Sequence, residues 1–120
     1  MYLNQLTIIG FTGQDAEFHL ASNATPVTTV SVATKESWKD FSGEWQSRTD
    51  WHRIVAFGKL AEYAKTLARG SHVMVQGALR SREYEKDGVS HRVYELRADT
   101  IAKLDRAERR DERETDGLDG

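Results

Sequence analysis

Between residues 36 and 51 the chain reads ESWKDFSGEWQSRTDW, three tryptophans that each lie within three residues of a lysine or arginine. Aromatic faces accept unstacked bases at roughly 1 to 3 kcal/mol each, while lysine and arginine follow the phosphates of a single strand. Such chemistry needs flat rings alternating with cations along extended backbone. The sequence offers this in three places: Trp38 with Lys39; Arg48 with Trp51, Arg53 and Phe57; and Arg80, Arg82 and Tyr84. The last three are spaced two apart, so on a strand they point the same way. A core face does not carry two arginines at alternate positions.

A structural reading stands beside the binding one. Trp51 and Phe57 can fill a barrel interior, whereas Trp38, between Ser37 and Lys39, has mostly polar neighbours that disfavour a core. Trp45, close to Gly43, belongs at a hairpin tip, where it contributes little. Tyr2, Tyr63 and Tyr94 read as structural.

Catalytic chemistry finds little support. His19, His52, His72 and His91 are scattered singly, with no HExxH spacing. No GxSxG, GxxxxGK[ST] or GxGxxG occurs, and Asp15 and Glu17 read as solvated acids beside a turn. With no cysteine there is no disulfide, thiolate metal site or cysteine nucleophile, which suits a reducing compartment. The expectation is a binding protein with no metal or cofactor, not an enzyme.

The elements that must position these groups follow from periodicity. At 120 residues the chain has room for one domain. Tyr2–Ile9, Val27–Thr34 and Thr49–Phe57 read as strands, and in the third Trp51, Arg53, Val55 and Phe57 share a face opposite His52, Ile54 and Ala56. Leu60, Tyr63, Ala64 and Leu67 then mark the buried stripe of a helix closing at Gly70. A fourth strand carries Val73, Val75, Gly77 and Leu79 on one face and runs to Asp87-Gly88, a hairpin turn signal, with a fifth strand returning. Three strands, a helix and two strands is the order of an all-β, five-stranded Greek-key barrel of the oligonucleotide/oligosaccharide-binding (OB) fold.

The formal net charge is -2, but residues 1–104 hold 13 Lys+Arg against 12 Asp+Glu, while residues 105–120 hold 4 against 7. The acidic excess therefore sits in DRAERRDERETDGLDG, which is too poor in apolar residues to offset its ordering entropy and is expected to fray into a disordered tail. The expected division is a barrel over 1–104 and a short charged tail over 105–120. No apolar window is long enough for a membrane span and the start has no leader pattern, so a cytoplasmic chain with no membrane partner is expected.

ATKESWKD (33–40), TDWHRIVAFGKLAEYA (49–64) and RGSHVMVQGALRSREY (69–84) closely resemble, in order and spacing, the bacterial single-stranded DNA-binding protein family, over roughly residues 2–104. The resemblance implies an OB-fold homotetramer, nucleoid-associated, that binds and protects single-stranded DNA without sequence preference in replication, recombination and repair. It places Trp38, Trp51, Phe57 and Tyr84 at base-stacking positions and Lys39, Arg53, Lys59, Arg69, Arg80 and Arg82 at basic positions along the strand path. It also matches His52 to a histidine of the subunit contact. The family typically ends in an acidic tip closed by Pro-Phe that partner enzymes grip; here the last residues are ETDGLDG, which puts contacts with replication and repair proteins in doubt. Phe11 stands where the family often has a polar or basic residue, and reads equally as an extra stacking ring or a loop anchor. Two rivals stay open: the same barrel used as an RNA-binding or primosome-type protein adaptor, and a hydrolase acting on nucleic acid or sugar.

Overall fold

The computed structural model describes residues 1–105; the tail expected from sequence lies, beyond Asp105, outside the described residues. Six strands and one helix follow in the order β1 (Leu6–Thr12), β2 (Glu17–Leu20), β3 (Pro26–Lys39), β4 (Trp45–Phe57), α1 (Lys59–Ala64), β5 (His72–Lys86) and β6 (Val89–Lys103). The sheet order β1-β5-β6-β4-β3 closes on itself through a β1–β3 pairing, giving the five-stranded barrel, and β2 extends the far edge of β3.

Alternation decides which side chains point inward. Val30, Val32, Ile54, Val73, Val75 and Leu96 are fully or almost fully buried, and Ala61, Ala64 and Leu67 cap them from the helix segment. Burying each large aliphatic side chain contributes about 1.5 to 3 kcal/mol, and these residues make one continuous core. Thr28, wholly buried, donates its hydroxyl to the Ala61 carbonyl at 2.7 Å and ties α1 to β3.

Several boundaries differ from the sequence reading. Tyr2 precedes the first strand and is fully exposed; ahead of that strand Asn4 bonds through its side chain, donating to the Leu79 carbonyl at 2.8 Å and accepting from the Leu79 N–H at 2.9 Å. Gly10 does not stop β1. The strand continues to Thr12 across β3, and a Cβ on Gly10 would lie 2.0 Å from the Ala33 carbonyl oxygen, so glycine permits the crossing.

The helix is also shorter than its apolar spacing suggests. After Ala64 the chain tightens into three-residue bonds, Thr66 N–H to the Tyr63 carbonyl and Leu67 N–H to the Ala64 carbonyl, both at 3.0 Å. Tyr63 lies outside the buried stripe and is exposed, while Ala61 is inside. Tyr94, also read as structural, is exposed on β6. The Asp87-Gly88 turn is as expected, with positive φ at both residues joining paired Lys86 and Val89.

Candidate nucleic-acid interface

β3 and β4 pair without interruption from Val27↔Phe57 to Lys39↔Trp45, and β5 and β6 pair from Val73↔Lys103 to Lys86↔Val89. Both are long hairpins whose inner halves build the barrel and whose outer halves project from it. In β5–β6 the register shifts at Gln76/Gly77, where Gly77 meets the Arg97 carbonyl so closely that a Cβ would sit 2.0 Å from its oxygen.

The outward face of β4 presents Trp51, Arg53 and Phe57, with Val55 buried between the last two. Arg80, Arg82 and Tyr84 lie on one face of β5, opposite Glu95, Val93 and His91 of β6. The two sets meet at Glu95. Its carboxylate accepts from Arg53 Nε at 3.1 Å and lies 3.5 Å from Arg82 Nε, so one largely buried acid orients two half-exposed guanidinium groups. Arg53, Arg82, Tyr84 and Val93 line an open cleft of about 420 Å³. Tyr84 stacks on His91, centroids 5.2 Å apart, which holds its ring flat.

Trp51 leans over Gly13: a Cβ there would fall 2.2 Å from Cζ3 of the indole. Gly13, Gln14, Ser31, Trp51 and Arg69 line a second cleft of about 480 Å³. Arg69 is held there through its backbone N–H, which donates to Asp15 Oδ1 at 3.1 Å. The Arg97 guanidinium covers Phe57 at 4.2 Å from the ring centroid.

The remaining proposed residues are spread more widely. Lys59 begins α1 and is exposed. Trp38 and Lys39 lie near the far end of β3, and Lys39 Nζ sits 5.7 Å from the Trp45 ring. The register Ala33↔Trp51 and Trp38↔Gln46 puts Trp38 on the opposite local face of the ribbon from Trp51. Arg53, Arg82 and Tyr84 come together at one cleft, and Trp51 and Phe57 share the outward face of β4 with Arg53, while Trp38 offers its half-exposed ring on the other side of the arm. His52 also faces away from Trp51, its Nε2 2.9 Å from Thr34 Oγ1.

Arg97 and Glu95 are not marked as site residues by the sequence reading. Alternation in VYELRAD pairs Arg97 with Glu95 on one face and could have exposed both, but their partners on β4 and β5 follow only from strand order. Among the described residues no group of three or more His, Cys, Asp or Glu is placed to hold a metal ion.

Comparison with known proteins agrees with the fold. The family model described as "Single-strand binding protein family" matches residues 3–104. The chain is 41% identical over 105 residues to Single-stranded DNA-binding protein 1 of Xylella fastidiosa (strain 9a5c), an alignment spanning 85% of this chain and 77% of that protein. It is 39% identical over 106 residues to the Single-stranded DNA-binding protein of Neisseria meningitidis serogroup A, spanning 87% of this chain and 61% of that one. Among solved structures, the Plasmodium falciparum SSB complex with ssDNA superposes with a TM-score of 0.80 at 31% identity, covering 88% of this chain and 97% of that one. A deletion mutant of the single-stranded DNA-binding protein from Thermus aquaticus gives 0.76 at 26% identity, covering 88% and 52%.

Proposed function

The chain belongs to the single-strand binding protein family, and from that premise we propose that it binds single-stranded DNA without reading its sequence, by stacking bases on exposed rings and neutralising phosphates. One observation carries the mechanism: Trp51, Phe57 and Tyr84 stand on the outer surface among Arg53, Arg82 and Arg97, and no base-edge reader is needed to use them. Lys39, Lys59, Arg69 and Arg80 extend the basic path, and Trp38 takes bases where the strand passes round the β3–β4 arm. The protein acts by occupancy, protecting single strands in replication, recombination and repair, with no catalytic step and no cofactor.

Assembly would use the neighbouring surface. Leu79 and Tyr94 are exposed beside Leu6 and His52 around the mouth of the barrel, where they border Trp51, Arg53 and Glu95 and offer large side chains to a second copy. A homotetramer with His52 at a subunit contact accounts for it. We place the protein on nucleoid DNA in the cytoplasm; no helix among the described residues is long and apolar enough to cross a membrane.

Binding of one labelled sequence as single-stranded DNA, RNA and duplex, with and without divalent metal, tests this reading. Preference for the DNA single strand, left intact, is expected. RNA preference would favour the adaptor reading, and cleavage the hydrolase one.

A further inference from the structure

Phe11 follows Thr7 and Ile9 on the outer face of β1. Its neighbours Gly10 and Thr12 are buried, yet Phe11 itself is 53% exposed, so its ring contributes little to the core. It is held rigidly from beneath. Phe11 pairs directly with His72 of β5, and the two rings stack with centroids 4.4 Å apart and planes 11° from parallel. His72 is fixed in turn, because its carbonyl accepts from the Leu104 N–H at 2.7 Å and its N–H donates to Asp105 Oδ1 at 3.0 Å.

Register extends the row. Phe11 also pairs with Ala33 of β3, and Ala33 pairs with Trp51 of β4, so His72, Phe11, Ala33 and Trp51 form one line across four strands. Phe11 and Trp51 are two strand spacings apart, roughly 9.5 Å between backbones. The methyl group of Ala33 forms the floor between them. These residues line an open cleft of about 600 Å³, to which Lys35 and Thr49, the next pair along the hairpin, also contribute.

We infer that Phe11, stacked on His72, forms with Trp51 a slot that takes one base of the bound single strand, with Lys35 contacting its phosphate. This rests on the single-stranded DNA reading above and adds to it a stacking position on β1, continuous with Trp51. The pre-stacked Phe11–His72 pair keeps the ordering cost of that position low.

Phe11→Ala, Phe11→Leu and Phe11→Tyr, titrated with a thymidine oligomer, test the slot, together with photocross-linking to oligomers carrying single 5-iodouracil substitutions. Phe11→Leu and Phe11→Ala are expected to lower affinity roughly tenfold, the scale of one lost base stack, while Phe11→Tyr binds as the parent chain does. The parent is expected to give a cross-linked peptide containing Phe11 or His72. If Phe11→Ala does not fold, the comparison of leucine with tyrosine decides, since leucine keeps an apolar side chain in β1. Equal binding by the leucine and tyrosine variants, with the parent still binding the oligomer, overturns the slot. Failure of the parent to bind single strands overturns the underlying reading instead.

Discussion

Replacing Gly13 by alanine should disable Trp51 without touching it. The added Cβ would lie 2.2 Å from Cζ3 and 2.5 Å from Cη2 of the indole. Carbon atoms rest about 3.5 to 4.0 Å apart, so the ring edge must retreat by roughly 1.3 to 1.8 Å. Trp51 is 61% exposed, leaving the ring free to swing outward, and the φ of Gly13 is not in the left-handed region. The stability change should therefore be small, within about 0.5 kcal/mol, as for surface substitutions. Affinity should suffer more. A base stack contributes roughly 1 to 3 kcal/mol, and a displaced platform that forfeits half of the middle of that range loses about 1 kcal/mol, or about fivefold. Tryptophan fluorescence titration with a thymidine oligomer, beside a thermal melt, measures both quantities. Unchanged affinity and unchanged quenching with the melt intact would refute the claim that Gly13 seats a stacking ring. A collapsed melt would show that Gly13 serves the fold instead.

Reversing charge in Arg80→Glu with Arg82→Glu should weaken binding and lower the slope of log affinity against log salt by about 0.7 for each phosphate no longer neutralised, with the circular dichroism spectrum unchanged; an unaltered slope would take both arginines off the strand path. His52→Tyr removes the imidazole from Thr34 and places a longer ring at the barrel mouth. Light scattering should then show a fall in mass at low concentration, and a persistent oligomer would remove His52 from the subunit contact. At the β3–β4 tip, the Glu44 N–H, the Gln46 side-chain amide and the Ser42 N–H hold the Asp40 carboxyl below its ordinary value of 3.8. A lowered folded-state value means that this support is complete above the ordinary carboxylate value and fades as pH falls through the lower one. Carboxyl NMR should show Asp40 titrating below 3.8, and titration at or above it would contradict the hydrogen-bonded tip.

Local pattern makes part of this site legible in the sequence. Period-two spacing alone aligned Arg80, Arg82 and Tyr84, and it set Trp51, Arg53 and Phe57 together against His52, Ile54 and Ala56. Asp87-Gly88 announced its own turn because both residues tolerate positive φ. What escaped depends on pairing between distant segments. Nothing near Glu95 in sequence reveals that Arg53 and Arg82 converge on it, since among the described residues the β4–β6 ladder is the short parallel stretch Ile54↔Leu96 and Val55↔Arg97. The family resemblance sets Trp38 beside Trp51 as a stacking ring, yet the hairpin register puts their rings on opposite local faces. Gly10 carried the signature of a strand end, when its real constraint is a carbonyl on another strand.

The central claim is that exposed rings and guanidinium groups on this barrel hold an unpaired DNA strand. Titrating the intact protein with a thymidine homopolymer, following tryptophan emission across a series of salt concentrations, measures both halves of that claim together. Strong quenching, with affinity falling linearly on a log–log salt plot, is the predicted result. Emission that stays unquenched at every salt concentration would contradict it.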